Sequence, residues 1–476
     1  DIQVVGGSGD GSNLLEFRET GAPDNYGTYL ANVSVGQIVI DETAGNQPNT
    51  NDVNPNNLFD AVVHQGTDPD MAGPQFAAGI SSVVNVAANF GADGPWHGSV
   101  ADATVYSLST VNGTDSGLTT TAGQSIHLFN ETYGGVGYVV GRYDSNGDHS
   151  ITPADDAAFA FRVDATTGVL SLVQYVSLHQ PDTLSNNEGV FLNTGSLSVS
   201  VTITDGDGDT ATQRADISAN IRFDDDGPQA ALDATSATLT IDETAGQDAG
   251  TNDVAHIADY TALFSAIVGT PIEIAQSQSA LVSTTGTVYG ADGQGAAPAF
   301  ALNVSFNGVD SGLDATDGRS VFLFKEGNLI VGREGTVGGA ADANGSVAFA
   351  ISLDSGAGVL TVAEYTALYH HNPLDPNEAA TPLTIANDVL QATVTVTDGD
   401  GDKSVASVGI GGQIHFLDDG PTVAPAPRNQ IGIGYVSQGG GTTPDWWGSM
   451  ATNVTDWSLA ASPVGTGTVD LERVPD

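Results

Sequence analysis

The sequence predicts an all-β protein built from tandem Ig-like or β-sandwich-type domains. Three observations predict it: a long internal repeat, short segments in which apolar and polar residues alternate, and turn signals that recur along the chain. No long segment shows the apolar spacing of about 3.6 residues that an amphipathic helix requires. Packed sheet layers are the architecture that such a pattern favours.

The internal repeat covers most of the chain, and its two copies share short anchors in the same order. The paired anchors include Ile40-Asp-Glu-Thr-Ala-Gly45 with Ile241-Asp-Glu-Thr-Ala-Gly246, Gly91-Ala-Asp-Gly94 with Gly290-Ala-Asp-Gly293, Thr202-Ile-Thr-Asp-Gly-Asp-Gly-Asp209 with Thr395-Val-Thr-Asp-Gly-Asp-Gly-Asp402, and Asp225-Asp-Gly-Pro228 with Asp418-Asp-Gly-Pro421. Because a period of about 190 to 200 residues is too long for a solenoid, it predicts tandem domains that each have a core.

Domain boundaries follow from these anchors. We assign 37–228 to repeat 1 and 229–421 to repeat 2. Residues 1–36 are predicted to be a β segment that ends a preceding module or supplies first strands. Residues 422–476 are predicted to be a Trp- and Gly-rich segment that starts a further module. Each repeat exceeds the roughly 100 residues of a minimal sandwich, which predicts extra strands or two sub-domains. The chain opens at Asp1 without a signal-peptide pattern, so we expect a fragment or a processed segment.

Strand-like segments inside each repeat alternate apolar and polar residues. Ser196–Thr204 and Gln391–Val396 are rich in Val, Ile and Thr, as half-buried strands are. Ala158–Val163 and Gly168–Val173 flank an Asp/Thr/Gly turn, which predicts a β-hairpin. Each alternating Asp-Gly motif follows one such strand and precedes another, so these motifs are predicted to be turns.

The charge of the chain is strongly negative and its cysteine content is zero. The formal charge is −47, from 58 acidic and 11 basic residues, which disfavours nucleic-acid binding. The absence of cysteine excludes disulfides, thiolate zinc sites and Fe–S clusters. Asp outnumbers Glu nearly fourfold and Gly is abundant, which indicates tight, oxygen-rich loops of the kind that calcium prefers. An Asp-rich turn set that only maintains solubility is the alternative.

The strongest candidate site is the alternating Asp-Gly motif, which occurs once in each repeat. Three carboxylates at every second position repel one another, and a divalent cation converts that repulsion into attraction. A solvated hairpin turn is the alternative, but it accounts poorly for threefold alternation in both repeats. We therefore predict calcium ligands at Asp205, Asp207, Asp209, Asp398, Asp400 and Asp402.

A second set of carboxylates lies at the edges of the repeats. An acidic segment ends each repeat, and an Asp-Glu pair opens the first strand of each. Carboxylates on both sides of a joint predict a shared calcium ion that stiffens it, so the repeats would be joined by calcium-binding acidic linkers. The alternative is an acidic linker in which Pro limits flexibility. The predicted ligands are Asp41, Glu42, Asp224, Asp225, Asp226, Asp242, Glu243, Asp418 and Asp419.

A third candidate site is present only in repeat 1 and follows the spacing of an EF-hand loop. Its predicted calcium ligands are Asp144, Asn146, Asp148, Ser150 and Asp155. His149 replaces the usual glycine at the sixth position, and Asp at the twelfth position replaces the longer bidentate Glu. An insertion turn is the alternative reading, since repeat 2 has only a short turn there.

No residue set predicts an enzyme. The nine histidines show no metal-ligand spacing, and we expect surface or loop positions for them, including His370 and His371, where repeat 1 has Gln180 and Pro181. Nucleophile elbows, phosphate loops and dinucleotide fingerprints are absent from the sequence. No apolar run approaches the roughly 20 residues of a membrane helix.

The ordered anchors resemble the long extracellular repeat of giant type I-secreted adhesins of Gram-negative bacteria, the repeats-in-toxin (RTX) adhesins. The resemblance covers about Val35 to Pro421 and lacks both the nine-residue glycine-rich calcium repeat and the C-terminal secretion signal. It implies an extracellular or cell-surface protein that folds on calcium after export and acts in attachment and biofilm formation. This segment would then be an extender or ligand-display region.

Three functions remain open at this point. The first is a calcium-rigidified extender whose partners are calcium ions and neighbouring repeats of the same chain. The second is a calcium-dependent module that binds a surface peptide or glycan, with the Trp-bearing segment as one candidate surface. The third is a self-assembling surface layer or filament, in which the same units pair between chains.

Overall fold

A computed structural model describes most of both repeats. The described residues are 37–48, 50–183, 185, 187–244, 246–375 and 378–420, with the backbone of Ser458–Ala460 and Thr466–Thr468. The predicted segment 1–36 and the tryptophans Trp446, Trp447 and Trp457 of the predicted segment 422–476 lie outside the described residues. The chain forms two compact units, Asp1–Asp419 and Gly420–Asp476, and both repeats lie almost wholly in the first.

The described residues form β-strands and short 3-10 helices and contain no α-helix, which confirms the predicted all-β class. The strands of repeat 1 are β1 (Ile38–Asp41), β2 (Gln75–Ser82), β3 (Thr104–Ser109), β4 (Thr114–Thr119), β5 (Ser125–Tyr133), β6 (Val136–Tyr143), β7 (Asp156–Val163), β8 (Val169–Gln174), β9 (Gly189–Phe191), β10 (Ser198–Thr204), β11 (Thr210–Asp216) and β12 (Ile221–Asp224). Its 3-10 helices are Gly91–Asp93, Trp96–Gly98 and Ser218–Asn220.

Repeat 1 arranges these strands in three sheets. The largest is antiparallel, in the order β2-β8-β7-β6-β5-β4, and contains the predicted hairpin as β7 and β8. A second antiparallel sheet has the order β11-β10-β3. The third has the order β1-β12-β9, in which the first and last strands of the repeat pair in parallel. The extra strands predicted from the repeat length are therefore present.

Repeat 2 has the same sheets in the same order. Its strands are β13 (Asp233–Ala234), β14 (Leu239–Asp242), β15 (Glu273–Gln276), β16 (Val282–Ser283), β17 (Gln294–Val304), β18 (Val309–Asp314), β19 (Ser320–Glu326), β20 (Leu329–Glu334), β21 (Val347–Leu353), β22 (Leu360–Glu364), β23 (Leu383–Thr384), β24 (Leu390–Asp398), β25 (Lys403–Gly409) and β26 (Ile414–Leu417). Its 3-10 helices are Ile257–Asp259, Thr261–Phe264 and Gly411–Gln413.

The sheets of repeat 2 are β15-β22-β21-β20-β19-β18, β17-β24-β25 and β14-β26-β23, with a small added pair β13-β16. As in repeat 1, the first long strand and the last strand pair in parallel, here β14 with β26. In the second compact unit, β27 (Ser458–Ala460) pairs antiparallel with β28 (Thr466–Thr468). Among the described residues, no helix has the length and apolar character needed to cross a membrane.

Each repeat packs its own apolar core, and no described core cluster mixes residues of the two repeats. In repeat 1, the rings of Phe159 and Phe223 lie 5.1 Å apart, and in repeat 2 the equivalent rings of Phe349 and Phe416 lie 5.2 Å apart. Strand β24 shows why the segments fold this way, because its residues alternate between buried and half-buried positions along its length. Each fully buried large side chain contributes about 1.5–3 kcal/mol of hydrophobic stabilisation.

Two features of this fold position the acidic residues. The parallel pairing of β1 with β12 aligns Asp41 with Asp224, so the carboxylates that follow both strands lie at one sheet end. Each alternating Asp-Gly motif forms the turn of an antiparallel hairpin, β10–β11 in repeat 1 and β24–β25 in repeat 2. The candidate acidic residues are therefore concentrated at turns and strand ends.

Candidate metal centre

Carboxylates from both repeats meet where repeat 1 contacts repeat 2. They form three overlapping groups, and in each group one carboxylate oxygen per residue lies within 4.8 Å of the others. The groups are Glu42 with Asp225 and Asp292, Glu188 with Asp225 and Asp402, and Asp292 with Asp398 and Asp400. Since Asp225 and Asp292 each belong to two groups, these seven residues form one continuous site, which we name the junction cluster.

Repeat 1 contributes Glu42, Glu188 and Asp225 to the junction cluster. Glu42 directly follows β1 and Asp225 directly follows β12, so the parallel strand pair brings both carboxylates to one place. The amide of Asp225 donates a hydrogen bond of 3.0 Å to the carbonyl of Glu188. Oε1 of Glu42 accepts from the amide of Leu178 at 2.9 Å and from the side chain of Gln174 at 2.5 Å. Its Oε2 has no hydrogen-bond partner among the described residues.

Repeat 2 contributes Asp292 and the three aspartates of its alternating Asp-Gly turn. The amides of Gly401 and Asp402 donate to Oδ1 of Asp398 at 3.1 and 2.7 Å, which closes the turn. A Cβ atom on Gly399 would clash with the carbonyl oxygen of Asp292, so glycine is required where the turn passes this residue. This close approach brings Asp292 into the site.

Hydrogen bonds from repeat 1 hold two aspartates of repeat 2 in place. The hydroxyl of Thr121 donates to Oδ1 of Asp292 and lies 2.7 Å from the hydroxyl of Ser177. The amide of Gln180 donates to Oδ2 of Asp400 at 3.2 Å. The junction cluster is therefore a shared site that neither repeat forms alone.

Five of the seven junction-cluster residues are buried, and many of the cluster oxygens have no hydrogen-bond partner among the described residues. Asp225 is 0% exposed, Asp398 and Asp402 are each 1% exposed, and Asp292 is 8% exposed. Among the described residues no arginine, lysine or histidine forms an ion pair with the cluster. The oxygens that have no hydrogen-bond partner are Glu42 Oε2, Glu188 Oε2, Asp225 Oδ2, Asp292 Oδ2, Asp398 Oδ2, Asp400 Oδ1 and both Oδ atoms of Asp402. Such a set of buried acceptors is suited to a positively charged partner.

Burial, followed by repulsion between neighbouring carboxylates, raises the pKa values of the cluster. The pKa of Asp225 is raised to about 10, that of Asp398 to about 8, and that of Asp292 to about 7. The pKa of Asp402 is raised to about 6, and the pKa of Glu42 is raised well above its usual value. Without a cation, the charged forms of these groups are disfavoured by the site itself.

The equivalent turn of repeat 1 has the same sequence but lies in solvent. Asp205 and Asp207 form a group with Asp93, which stands where repeat 2 has Asp292. Asp207 and Asp209 are exposed, Asp205 is half-buried, and the amide of Asp209 donates to Oδ1 of Asp205 at 2.9 Å. The structure therefore brings two of the three predicted turn ligands of repeat 1 together with Asp93, in an open site.

The other predicted edge carboxylates of repeat 1 lie beside the junction cluster. Asp41 is buried, and its Oδ1 accepts from the amide of Thr43 at 2.8 Å. Oδ1 of Asp224 lies 2.6 Å from Nε of Arg222, and burial nevertheless raises the pKa of Asp224 to about 7. Burial also raises the pKa of Asp226, which is half-buried. None of the three belongs to a described group that could hold an ion.

The predicted edge carboxylates of repeat 2 form a separate set. Glu243 directly follows β14, and its amide donates to the carbonyl of Leu417 at the end of β26. Asp242 is buried, Asp418 is half-buried and Asp419 is exposed. The sequence reading paired Asp242 and Glu243 with the acidic end of repeat 1, but these residues lie with the acidic end of repeat 2.

The carboxylates of repeat 2 that approach Asp225 are instead those of the Asp292 turn and the alternating Asp-Gly turn. The physical reason for this difference is the parallel pairing of the first and last strands within each repeat. That pairing joins segments nearly 200 residues apart, and local sequence spacing does not reveal it.

The predicted EF-hand-like loop folds around its own hydrogen bonds. Oδ1 of Asp144 accepts from the amide of Gly147 at 2.7 Å, and Oδ1 of Asp148 accepts from the amide of Ser150 at 2.8 Å. Oδ1 of Asp155 accepts from the side chain of Asn146 at 2.9 Å. His149 has a φ of +66°, the left-handed conformation for which glycine is usual at this loop position. Among the described residues, no three carboxylates of this loop place oxygens within 4.8 Å of one another, so calcium binding here would also require the amide, hydroxyl or backbone oxygens.

Sequence reasoning missed several cluster residues and one buried histidine. Asp292 and Asp93 lie in the repeated Gly-Ala-Asp-Gly anchor, and an acid repeated at a turn was the signal that could have identified them. Glu188 lies in no recognised motif. His370 lies in a loop, as expected, but its side chain is 3% exposed and so does not lie at the surface.

The junction cluster offers only oxygen ligands, in a number and density that suit a hard divalent cation. Calcium takes six to eight oxygen ligands in flexible geometry, and carboxylates can bind it through one or two oxygens. Asp225 and Asp292 are each shared between groups, so bridging carboxylates could hold more than one ion. The group at Asp93, Asp205 and Asp207 offers fewer ligands, and only Asp205 is half-buried.

Comparison with known families gives one match. The family model described as a domain of unknown function (DUF5801) matches residues 37–218 and 238–411, once in each repeat and over most of the chain. No curated protein matches the chain.

Proposed function

We propose that this chain, which belongs to the DUF5801 family, is a calcium-rigidified extender or ligand-display region of a secreted bacterial surface adhesin. Its partners would be calcium ions and neighbouring repeats of the same chain, and its role would be to support attachment and biofilm formation. The resemblance of the ordered anchors to RTX adhesins supports the extracellular setting. The acidic sites support the dependence on calcium.

One observation carries the proposal: the junction cluster is built by both repeats. Three of its carboxylates come from repeat 1 and four from repeat 2. An ion bound there would be coordinated across the contact, so its binding energy would oppose any separation or rotation of the two repeats. A site that served only the stability of one repeat would not need ligands from its neighbour.

Without a cation, the buried carboxylates destabilise the contact between the two repeats. Buried carboxylates that face one another repel, and each also loses its hydration. Removing a compensating partner from such a group typically costs about 1–3 kcal/mol, and more when the group is charged. We therefore expect the calcium-free junction to loosen, and we expect calcium to bind more tightly where both halves of the site are present.

The same proposal includes the type of β fold in each repeat and the role of the acidic linker. We propose that each repeat is an Ig-like sandwich and that the acidic segment around Asp224–Asp226 acts as a calcium-binding linker. The separate apolar core of each repeat and the antiparallel pairing within its two larger sheets support this assignment. Stiff tandem sandwiches with ions at their joints would form an extended, load-bearing stalk.

The test is thermal melting of the full chain with calcium and with excess chelator, in the wild type and in two matched triple variants. The first variant changes Asp398, Asp400 and Asp402 to Asn, and the second makes the same changes at Asp205, Asp207 and Asp209. We expect calcium to raise the Tm of the wild type and of the second variant, and to raise the Tm of the first variant much less.

These variants carry the same change of charge in the same motif, so they separate the buried site from bulk charge effects. An unchanged Tm of the wild type after chelation would contradict the proposal. Equal losses of the calcium response in both triple variants would contradict the assignment to the junction.

A further inference from the structure

In repeat 2, the segment that leads into the first long strand is part of the domain. Residues 229–235 pair at both ends with the segment that contains β16. Gln229 and Val288 exchange backbone hydrogen bonds of 2.8 and 3.0 Å, and β13 pairs antiparallel with β16. Leu232 is 8% exposed and belongs to the apolar core of repeat 2. This segment is therefore packed structure and not a free tether.

The same segment is fastened to the strands at the end of the repeat. The amide of Ala230 donates to the hydroxyl of Ser404 on β25 at 3.1 Å. Nε2 of Gln413 donates to the carbonyls of Thr235 and Ala237 at 2.9 and 2.8 Å. The segment thus lies between β16 and β25 and is held from both sides.

The equivalent sheet of repeat 1 is less covered. Val394 and Val396 of β24 are both 0% exposed, whereas their equivalents Val201 and Ile203 of β10 are half-buried. Every residue of β11 is exposed, whereas alternate residues of the equivalent β25 are half-buried. Among the described residues, repeat 1 therefore has no counterpart of the segment that packs against β25.

A groove of about 280 Å³ lies against this sheet in repeat 1. It is lined mainly by small and apolar side chains, and Val86 within it is 38% exposed. The lining includes Val84, Val86, Ala88, Val201, Ile203 and Ala215. Because residues 84–88 are the counterpart of the β16 segment, the groove lies where repeat 2 holds residues 229–235.

We propose that residues 28–34 of this chain dock in the groove as an added strand, as residues 229–235 do in repeat 2. Ile40 and Ile241 are equivalent, so the two segments stand at the same distance along the chain from the first long strand. Apolar side chains stand at every second position, at Tyr29, Ala31, Val33 and Val35, as a strand with one buried face requires.

Two further features favour this occupant. Asn220 directly precedes β12 as Gln413 directly precedes β26, so repeat 1 also carries a side-chain amide at the fastening position. Residues 28–34 are joined to β1 of the same repeat by a few residues, which raises their effective concentration at the groove above that of a separate chain. In a tandem array, each repeat would then be completed by the segment that leads into it.

The first test is disulfide formation in the full chain, which has no native cysteine. Asn32→Cys and Asn85→Cys occupy the positions of Asp233 and Ser283, which pair in repeat 2. Cα atoms of paired antiparallel residues lie about 4.5–5.5 Å apart, a distance that a disulfide spans. We expect an intramolecular disulfide, mapped by mass spectrometry, to form at least about tenfold faster than in the control pair.

The control pair combines Asn32→Cys with Asp115→Cys. Asp115 is exposed on β4, at the opposite edge of the six-stranded sheet from β2. Melting of the reduced proteins reports whether each variant is folded.

The second test needs no cysteine and compares Ala31→Asp with Asn32→Asp, which add the same charge at adjacent positions. Ala31 is the equivalent of the buried Leu232, and Asn32→Asp installs the residue that repeat 2 carries. Ala31→Asp should lower the Tm of the full chain by at least about 2–4 °C. Asn32→Asp should leave the Tm nearly unchanged, because its side chain is predicted to face solvent.

Three results would overturn the proposal. The first is a disulfide that forms no faster in the folded groove pair than in the control pair, which would leave the groove to a separate partner. The second is a disulfide that forms only between two chains, which would assign the groove to a second copy. The third is an equal Tm for the two Asp variants. All measurements are made in saturating calcium, so none depends on the proposed calcium function.

Discussion

The alternating Asp-Gly turn occurs twice in the same sequence context but in two environments. In repeat 2, Asp398 and Asp402 are buried against repeat 1, and the pKa of Asp398 is raised to about 8. In repeat 1, the equivalent Asp205 lies at an open end, and hydrogen bonds lower its pKa. The motif therefore supplies the candidate ligands, whereas the contact between the repeats buries them.

This comparison also separates two consequences of calcium binding. At the exposed turn, an ion would neutralise charge that solvent and salt already screen. At the buried turn, the ion would offset the free energy that the carboxylates lose through desolvation, and it would bridge the two repeats. We expect the structural effect of calcium to be concentrated at the junction, although both turns carry the same three aspartates.

The largest expected effect of a single substitution is that of Asp225→Asn, because Asp225 belongs to two of the three carboxylate groups. The rise in Tm on adding calcium should largely disappear. In chelator the same variant should be more stable than the wild type by about 1–3 kcal/mol, since Asn is neutral and the cost of burying or protonating the Asp225 carboxylate is removed. Asp207→Asn at the exposed turn is the control, and an equal loss of the calcium response there would remove the distinction between the two turns.

The pH dependence of the calcium-free chain is the second prediction. The pKa values of Asp225, Asp398 and Asp292 are raised to about 10, 8 and 7, whereas an unfolded Asp has a pKa of about 3.9. Between these limits the folded chain holds more protons than the unfolded chain, so stability falls as pH rises.

Calorimetry without calcium should therefore give a higher Tm at pH 5 than at pH 8. Adding calcium should flatten or reverse this trend, because calcium binds the deprotonated carboxylates. The triple Asn variant at Asp398, Asp400 and Asp402 should show a weaker trend, because Asp225 and Asp292 remain in place with raised pKa values. A calcium-free Tm that rises from pH 5 to pH 8 would show that other groups control stability.

The third prediction compares two glycines. A Cβ on Gly206 would clash with the carbonyl oxygen of Asp93 in the same repeat. A Cβ on Gly399 would clash with the carbonyl oxygen of Asp292. It would also lie 2.9 Å from a methyl carbon of Thr121 in the other repeat. Both Gly→Ala variants should lose about 1–3 kcal/mol of stability through overpacking. Only Gly399→Ala should also reduce calcium affinity at the junction, which calorimetric titration would measure.

The smallest expected effect is that of Asp144→Ala in the EF-hand-like loop of repeat 1. Calcium binding at this loop stays a prediction, and the variant should lower the calcium stoichiometry by about one ion. The calcium-dependent rise in Tm should be nearly unchanged, because the loop lies outside the junction cluster. A stoichiometry equal to that of the wild type would favour the alternative of an insertion turn.

The strands and the aspartates of the turns could be predicted from the sequence, because local residue patterns indicate both. Alternation in Leu390–Asp398 predicts a strand with one buried face, and glycine at every second position predicts the turn that follows. The segment Asp115-Ser-Gly-Leu118 is also repeated, as Asp310-Ser-Gly-Leu313, but Ser116 is structural, since its hydroxyl is buried and donates to the carbonyl of Ile126 at 2.7 Å. A repeated acidic motif is therefore not always a site.

The assembly of the junction cluster could not be predicted from local patterns. Glu42, Asp225 and Asp292 meet only because first and last strands pair in parallel and one repeat contacts the next. These are long-range packing events that spacing along the chain does not encode.

The most direct test of the account measures how calcium changes the freedom of one repeat relative to the other. The chain has no cysteine, so Ala165→Cys and Ser355→Cys place one spin label on the exposed β7–β8 turn and one on the equivalent β21–β22 turn. Pulsed electron paramagnetic resonance then gives the distribution of distances between the labels. We expect a narrow distribution with calcium and a broad one in chelator, and the same width under both conditions would contradict a calcium-stiffened junction.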